Sequence, residues 1–197
     1  MDVALLVSPA AGRGRATGLA ETVLAEFRRA GHAARVLPAT TGAEAERQAA
    51  AAIAAGAGAV AAVGGDGPVH AALQAVAGTR TPLAVVPAGT GNDLVRALGV
   101  PGDPVVAARA AAEDLAAGAA RVVDAGRTGD RWWATVLCCG FDSAVSDRAN
   151  RLRWPQVPAR YALLVPSVAS QATAFVDPCK CTRMQMMPFF FLFSNHE

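Results

Sequence analysis

The chain has 197 residues, 53% of them hydrophobic, with alanine prominent among these, which suffices for one well-buried domain and part of a second. Its formal charge of +2 argues against a dedicated nucleic-acid-binding module, which carries a denser basic patch. No strong electrostatic partner is implied.

Residues 3–7 form a short apolar run closed by Ser8-Pro9, the pattern of a buried strand and a turn. A glycine-bearing loop, Ala10-Ala11-Gly12-Arg13-Gly14-Arg15, follows. Residues 17–30 carry Leu19, Val23, Leu24 and Phe27 on one helical face, with Gly31 as the expected cap. A second strand is expected at 33–37. Thr41 and Glu44 are spaced as a capping box, opening an Ala-rich helix to about residue 55. A third strand at 59–63 runs directly into Gly64-Gly65-Asp66-Gly67. A helix at 69–77, a strand at 83–86 and the loop Pro87-Ala88-Gly89-Thr90-Gly91-Asn92-Asp93 come next. A short helix at 94–98 and an Ala-rich one at 105–117 complete the series.

Strands alternating with helices through short loops imply an α/β domain with a parallel sheet covered on both faces. Ligands of such sheets bind beyond the carboxyl ends of the strands, where both glycine loops fall. The rhythm changes near Gly118. Strands at 121–124 and 131–136 suggest a β-rich second domain beginning near residue 120. After about residue 171, cysteine, methionine and three consecutive phenylalanines crowd a tail that looks foreign to the rest. The expected organisation is therefore 1–119, 120–171 and an atypical tail at 172–197.

The four cysteines, Cys138-Cys139 and Cys179-x-Cys181, lack the spacing and histidine partners of a tetrahedral metal site and read as buried or incidental thiols. Met1-Asp2 leads straight into the first strand without a basic n-region. The late apolar run at 188–193 falls far short of the ~20 residues that cross a membrane. A soluble, cytoplasmic protein is expected.

The glycine loops carry the chemistry. Glycines let backbone approach a ligand, and amides at such a loop and at the following helix start can cradle phosphate oxygens. Asp66 puts a carboxylate in the same place, which beside phosphates calls for a cation, usually Mg²⁺. The competing reading is a strand–helix turn that needs glycine for geometry alone. In the second loop Thr90 can donate to phosphate, while Asn92 and Asp93 could simply cap the next helix. The first loop, from Ser8 to Arg15, is weak by itself.

Taken in order, GGDG after one strand and PAGTGND after the next resemble the catalytic domain shared by diacylglycerol, sphingosine and ceramide kinases and bacterial lipid kinases. The resemblance runs from Val3 to about Ser170 and takes in the SPAAGRG loop, VVDAG around Asp124 and LCCGFDSAV. It implies a nucleotide-binding α/β domain followed by the beginning of a β-sandwich domain. It also implies transfer of the γ-phosphoryl group of ATP to a lipid hydroxyl, such as that of diacylglycerol, by a protein peripheral to the membrane. By position it assigns Ser8, Pro9, Ala10, Ala11, Gly12, Arg13, Thr40, Gly64, Gly65, Asp66, Gly67, Gly89, Thr90, Gly91 and Asn92 to the nucleotide. Asp66, Asp93 and Asp124 are assigned to Mg²⁺. Oligomeric state stays open, with a homodimer one option.

Three positions depart from the family pattern: Pro68 stands where Thr is common, Thr135 where Asn is common, and the late acidic segment that supplies the general base is missing. The only acidic residues after 171 are Asp177 and Glu197. A frameshift or truncation after about Ser170 would account for this, and weak or no turnover by the chain alone is the expectation. The alternatives are an NAD kinase, which shares the GGDG logic but phosphorylates a soluble acceptor, and a catalytically incompetent nucleotide-binding fragment. A dinucleotide-binding domain fits less well, because Thr17 occupies the third glycine position of its fingerprint. The stretch Arg148, Arg151, Arg153, Trp154, Arg160, Tyr161 could touch an anionic membrane, but reads more simply as a solvated edge.

Overall fold

The structure, a computed structural model, describes residues 1–7, 15–37, 39–135, 145, 148, 149, 151 and 185–192, with backbone alone at 15–17 and 185–192. In chain order its elements are β1 (Asp2–Val7), α1 (Arg15–Arg29), β2 (Ala33–Leu37), α2 (Gly42–Ala54), β3 (Ala59–Gly64) and α3 (Asp66–Val76). Then come β4 (Leu83–Pro87), α4 (Asp93–Leu98), α5 (Pro104–Ala117), β5 (Ala120–Thr128), β6 (Arg131–Trp133) and β7 (Gln185–Leu192). The first nine fall where the periodicity places them, within a few residues.

The seven strands form one sheet in the order β2-β1-β3-β4-β7-β5-β6. Strands β1 to β4 pair in parallel, with Val7 opposite Val63 and Gly64 opposite Pro87. Their carboxyl ends therefore finish nearly level. The chain leaves β1 toward one side for β2 and crosses to the other for β3, so the strand order reverses between β1 and β3. Ligands of open parallel sheets sit at such a reversal.

Both faces of the sheet are covered at β3 and β4, which explains why these strands are apolar without alternation and buried along their whole length. Leu6, Val60, Ala62 and Val85 pack with Ala45, Ala49 and Ala52 of α2, Val69, Ala72 and Val76 of α3, and Leu94 of α4. Val3, Leu5, Ala61, Val63 and Val86 point the other way, against Val23 and Phe27 of α1 and Ala108, Ala111 and Ala112 of α5. Alanine at the helix contacts lets helix axes approach the sheet closely. Phe27, fully buried, contributes about 1.5–3 kcal/mol by area alone.

The helix ends follow their signals. Helix α1 closes on Gly31 at φ 82°, with His32 N–H donating back to Phe27 O at 3.0 Å. Asp103 caps α5 by accepting from Val105 and Val106 N–H, each at 2.9 Å, with Pro104 just inside. Thr41 caps α2 as expected, its hydroxyl accepting from Glu44 N–H at 3.2 Å. The reciprocal half differs from the expected box. Glu44 accepts from Thr40, both N–H at 2.8 Å and Oγ1–H at 2.9 Å, one residue earlier than the motif predicts.

The sheet continues past residue 119 through β5 and β6, and the compact unit that holds it comprises Met1–Thr135 and Met184–Glu197. The tail, foreign in composition, supplies β7 to that same unit. β7 lies antiparallel to β5 from Ala120 opposite Leu192 to Arg127 opposite Gln185, and meets β4 in parallel at Leu83 opposite Phe191. The second unit, Val136–Arg183, is described only at Val145, Arg148, Ala149 and Arg151, all helical, with Val145 and Ala149 buried. The remainder of the arginine and aromatic stretch and all four cysteines lie outside the described residues.

The edge strand β6 is pinned by polar contacts. Gln74 of α3 donates to Trp132 O and accepts from Trp132 N–H, both at 2.9 Å, imitating a neighbouring strand. Arg131 grips Glu46 of α2 through two nitrogens, at 2.9 and 2.6 Å, and lies 3.2 Å from His70 Nε2. The hydrogen bonds from Arg131 hold the Glu46 carboxyl below the usual range. Loss of hydration, then the Arg131 charge, lowers the His70 imidazole, with Glu46 pulling the other way.

A depressed folded pKa stabilises above the unfolded value and loses that contribution as the pH falls through the folded one. Acid should therefore weaken this corner in two stages, first below 6.5 through His70 and then below 4.5 through Glu46. The fall in Tm between about pH 7.5 and 5.5 should be smaller in His70→Gln than in the wild type, measured by thermal unfolding at each pH.

Candidate functional site

The two glycine loops leave the level ends of β3 and β4 and meet back to back. A Cβ on Gly89 would lie 2.4 Å from Gly65 Cα, and one on Gly65 would lie 3.2 Å from Gly89 Cα. Only glycine permits this approach. Ala88 N–H donates to Gly64 O at 2.8 Å, extending the β3–β4 ladder into the loops. Asn92 turns the second loop into α4 with a left-handed backbone, φ 57° and ψ 47°, a conformation asparagine tolerates better than most residues. Its Nδ2 donates to Gly89 O at 3.0 Å, while its Oδ1 is buried without a hydrogen-bond partner among the described residues.

Asp66 joins the loops. As the first residue of α3 it reaches across, Oδ2 accepting from Asn92 N–H at 3.1 Å and Oδ1 from Asp93 N–H at 2.8 Å. It thereby satisfies two amides that open α4 and places negative charge at a positive helix end. A Cβ on Gly91 would lie 2.3 Å from Asp66 Oδ2, so this glycine is needed to admit the carboxylate. Asp93 is engaged as well: Arg96, one turn on, donates to its carboxylate and to Gly91 O. The Asp93–Arg96 pairing went unnoticed in the sequence, although a spacing of three on a helix is its ordinary signal.

Two hollows open at the carboxyl ends of the strands. One, of about 180 Å³, is lined by Leu6 and Val7 of β1, by Thr40 and Thr41, and by Gly67 and Pro68 of α3, among others. The other, of about 540 Å³, is bounded by Gly89 and Asn92 with Gly18, Leu19, Gly102 and Pro104. Thr40 and Gly67, assigned to the nucleotide by resemblance, thus share one hollow, and Gly89 and Asn92 share the other. Gly64 is buried at the end of β3 and Thr90 is exposed. Ser8, Pro9, Ala10, Ala11, Gly12 and Arg13 lie outside the described residues. Gly18, Gly102 and Pro104 were missed. Their signal was positional: they stand near helix starts at the ligand-binding end of the sheet. Pro68 sits in the first turn of α3, where an absent N–H costs nothing.

The proposed trio for Mg²⁺ is not assembled. Asp66 and Asp93 are joined, but Asp124 lies exposed on β5, paired in register with Pro188. Among the described residues no group of three or more His, Cys, Asp or Glu could hold a metal ion. The carboxylates present therefore do not fit a metal cage built by these three residues. Position along the chain could not show this, because β5 reaches the sheet beyond β7 and not beside β4.

A sequence model of the diacylglycerol kinase catalytic domain matches residues 2–128. The chain belongs to the diacylglycerol kinase catalytic-domain family. A diacylglycerol kinase of Mycobacterium tuberculosis (strain H37Rv) is 40% identical over 164 residues, covering 81% of this chain and 52% of that protein. One from Bacillus subtilis (strain 168) is 28% identical over 134 residues, covering 67% and 43%. The chain thus spans about half the length of these curated relatives. The crystal structure of a diacylglycerol kinase from Bacillus anthracis superposes with a TM-score of 0.57 at 25% identity, covering 67% of this chain and 45% of that one. The family match takes in both glycine loops and extends through β5. No described helix is long and apolar enough to cross a membrane.

Gly89→Ala drives a Cβ into the Gly65 backbone and should cost about 1–3 kcal/mol in urea unfolding. Gly67→Ala, whose Cβ meets nothing within 4 Å, should leave stability unchanged or slightly higher by the same measurement. Asn92→Ala should be less stable than Asn92→Gly, since both lose the bond to Gly89 O but only alanine strains the left-handed backbone.

Proposed function

We propose that this chain is the nucleotide-binding part of an ATP-dependent lipid kinase that moves the γ-phosphoryl group of ATP to a lipid hydroxyl, such as that of diacylglycerol. The observation that carries this reading is the back-to-back contact of the two glycine loops at the carboxyl ends of β3 and β4, in a chain of the diacylglycerol kinase family. Phosphoryl transfer asks a protein mainly for positioning and for stabilisation of charge on phosphate oxygens. Backbone amides in a glycine loop supply fixed donors that need no reorganisation when charge develops.

In this proposal the Gly64–Gly67 turn and the Gly89–Asn92 loop face the nucleotide's phosphates, with Thr40 nearby, and the segment from Ser8 to Arg13 contributes to binding the same nucleotide. The Thr40 hydroxyl already donates to Glu44, so it offers ligands its oxygen lone pairs and not its proton. Mg²⁺ belongs to the reading as the counter-ion of the nucleotide, bound chiefly through phosphates and water, since the three acidic positions do not form a cage. The acceptor lipid lies at a membrane surface that the cytoplasmic protein visits peripherally. The names of the Mycobacterium and Bacillus relatives support diacylglycerol as the first acceptor to test.

Calorimetric titration of ATP with Mg²⁺ into the purified chain should show saturable binding. A folded chain that binds no ATP would sink the reading. Where binding is found, transfer of labelled γ-phosphate to diacylglycerol in mixed micelles supports the lipid acceptor. Transfer to NAD in its place would identify an NAD kinase, and binding without transfer to either would leave a nucleotide-binding module.

A further inference from the structure

We infer that Asp66 is a positioning residue, whose carboxylate clamps the second glycine loop in its binding shape, and not a ligand of the metal ion. Both of its oxygens accept backbone N–H groups from the far loop, 26 and 27 residues away in sequence. Such charge-assisted bonds are stronger than neutral ones. The carboxylate fills the space that any side chain at position 91 would need, so the loop is built around it. The first oxygen-to-amide bond sets Asn92, whose own amide holds Gly89 O. Gly89 in turn rests on Gly65, the residue immediately before Asp66. These contacts close a ring: Asp66 to Asn92, Asn92 to Gly89, Gly89 to Gly65. A ring of this kind fixes the spacing of two phosphate-facing loops without any ion.

Removing the carboxylate should therefore loosen the loop whether or not a metal is present. A metal ligand behaves differently, because its loss matters only when the metal is there. Asp66→Ala frees both amides, and Asp66→Asn, the milder change, retains one acceptor oxygen and so holds at most one of them.

Two arms test the clamp. The first is amide hydrogen exchange of Asn92 and Asp93 in the chain free of nucleotide and metal. Both should exchange about ten-fold faster or more in Asp66→Ala, and one of the two in Asp66→Asn; wild-type rates in both variants would overturn the clamp. The same arm carries a steric check: Gly91→Ala should lower Tm markedly in the wild type and much less in the Asp66→Ala background, because the obstructing oxygen is gone. Equal losses in both backgrounds would contradict it.

The second arm rests on the nucleotide-binding reading. ATP is titrated into wild type and Asp66→Asn, once with Mg²⁺ and once with EDTA. The clamp predicts the same fold-loss of affinity in both buffers, while a loss confined to the Mg²⁺ titration would make Asp66 a metal ligand after all. A wild-type chain that binds ATP in neither buffer refutes the nucleotide reading, and the exchange arm then judges the clamp alone.

Discussion

Two stretches of backbone cannot normally approach to the distance of a carbon–carbon contact, because a Cβ stands in the way. Gly65 and Gly89 do so here, and the ligand-binding end of the molecule follows from it. The contact requires β3 and β4 to be neighbours ending at the same level, which their register provides through Gly64 opposite Pro87. It requires Asn92 to turn with a left-handed backbone, and Asp66 to bridge from one loop to the other. Each element in turn leans on a packed sheet, since loops in such close contact need a rigid base.

That base is made largely of alanine. Small side chains on α2 and α5 bring helices close to both faces of the sheet, and Val, Leu and Phe27 fill the remaining space. Most polar groups of the described residues stand at the rims, where they do specific jobs, with His32 and Asp114 buried. Gln74 acts as a substitute strand for Trp132. The Glu46–Arg131 pair ties α2 to the edge strand. These contacts stop β6 from offering a bare edge on that side.

The far side of the sheet changes character at β7. Up to β4 all pairings are parallel, whereas β5 runs antiparallel to both β7 and β6. The hairpin between β5 and β6 turns at Gly129, φ 62°, and the flat Gly126 is covered by Trp133, whose ring occupies the space of a Cβ there. Residues 185–192 thus complete a sheet that includes residues 2–7. Pairing over so long a sequence separation slows folding more than it lowers stability, because loop-closure entropy grows only slowly with loop length.

The sequence by itself determined the α/β alternation, the strand-end placement of both glycine loops, the caps at Thr41 and Gly31, and the family through GGDG and PAGTGND. These are local properties: burial on two faces writes apolar runs, helices write a period of 3.6, and phosphate-type loops write glycine. Tertiary structure alone decided the rest. It placed residues 185–192 between β4 and β5, put Asp124 on a strand separated from β4 by β7, and moved the partner of the Glu44 carboxylate from Thr41 to Thr40. It also showed that the Asp66 carboxylate is spent on the amides of Asn92 and Asp93. Each of these depends on where distant segments lie in space, which is set by sheet order and register. A pattern of residue types along the chain carries no record of either.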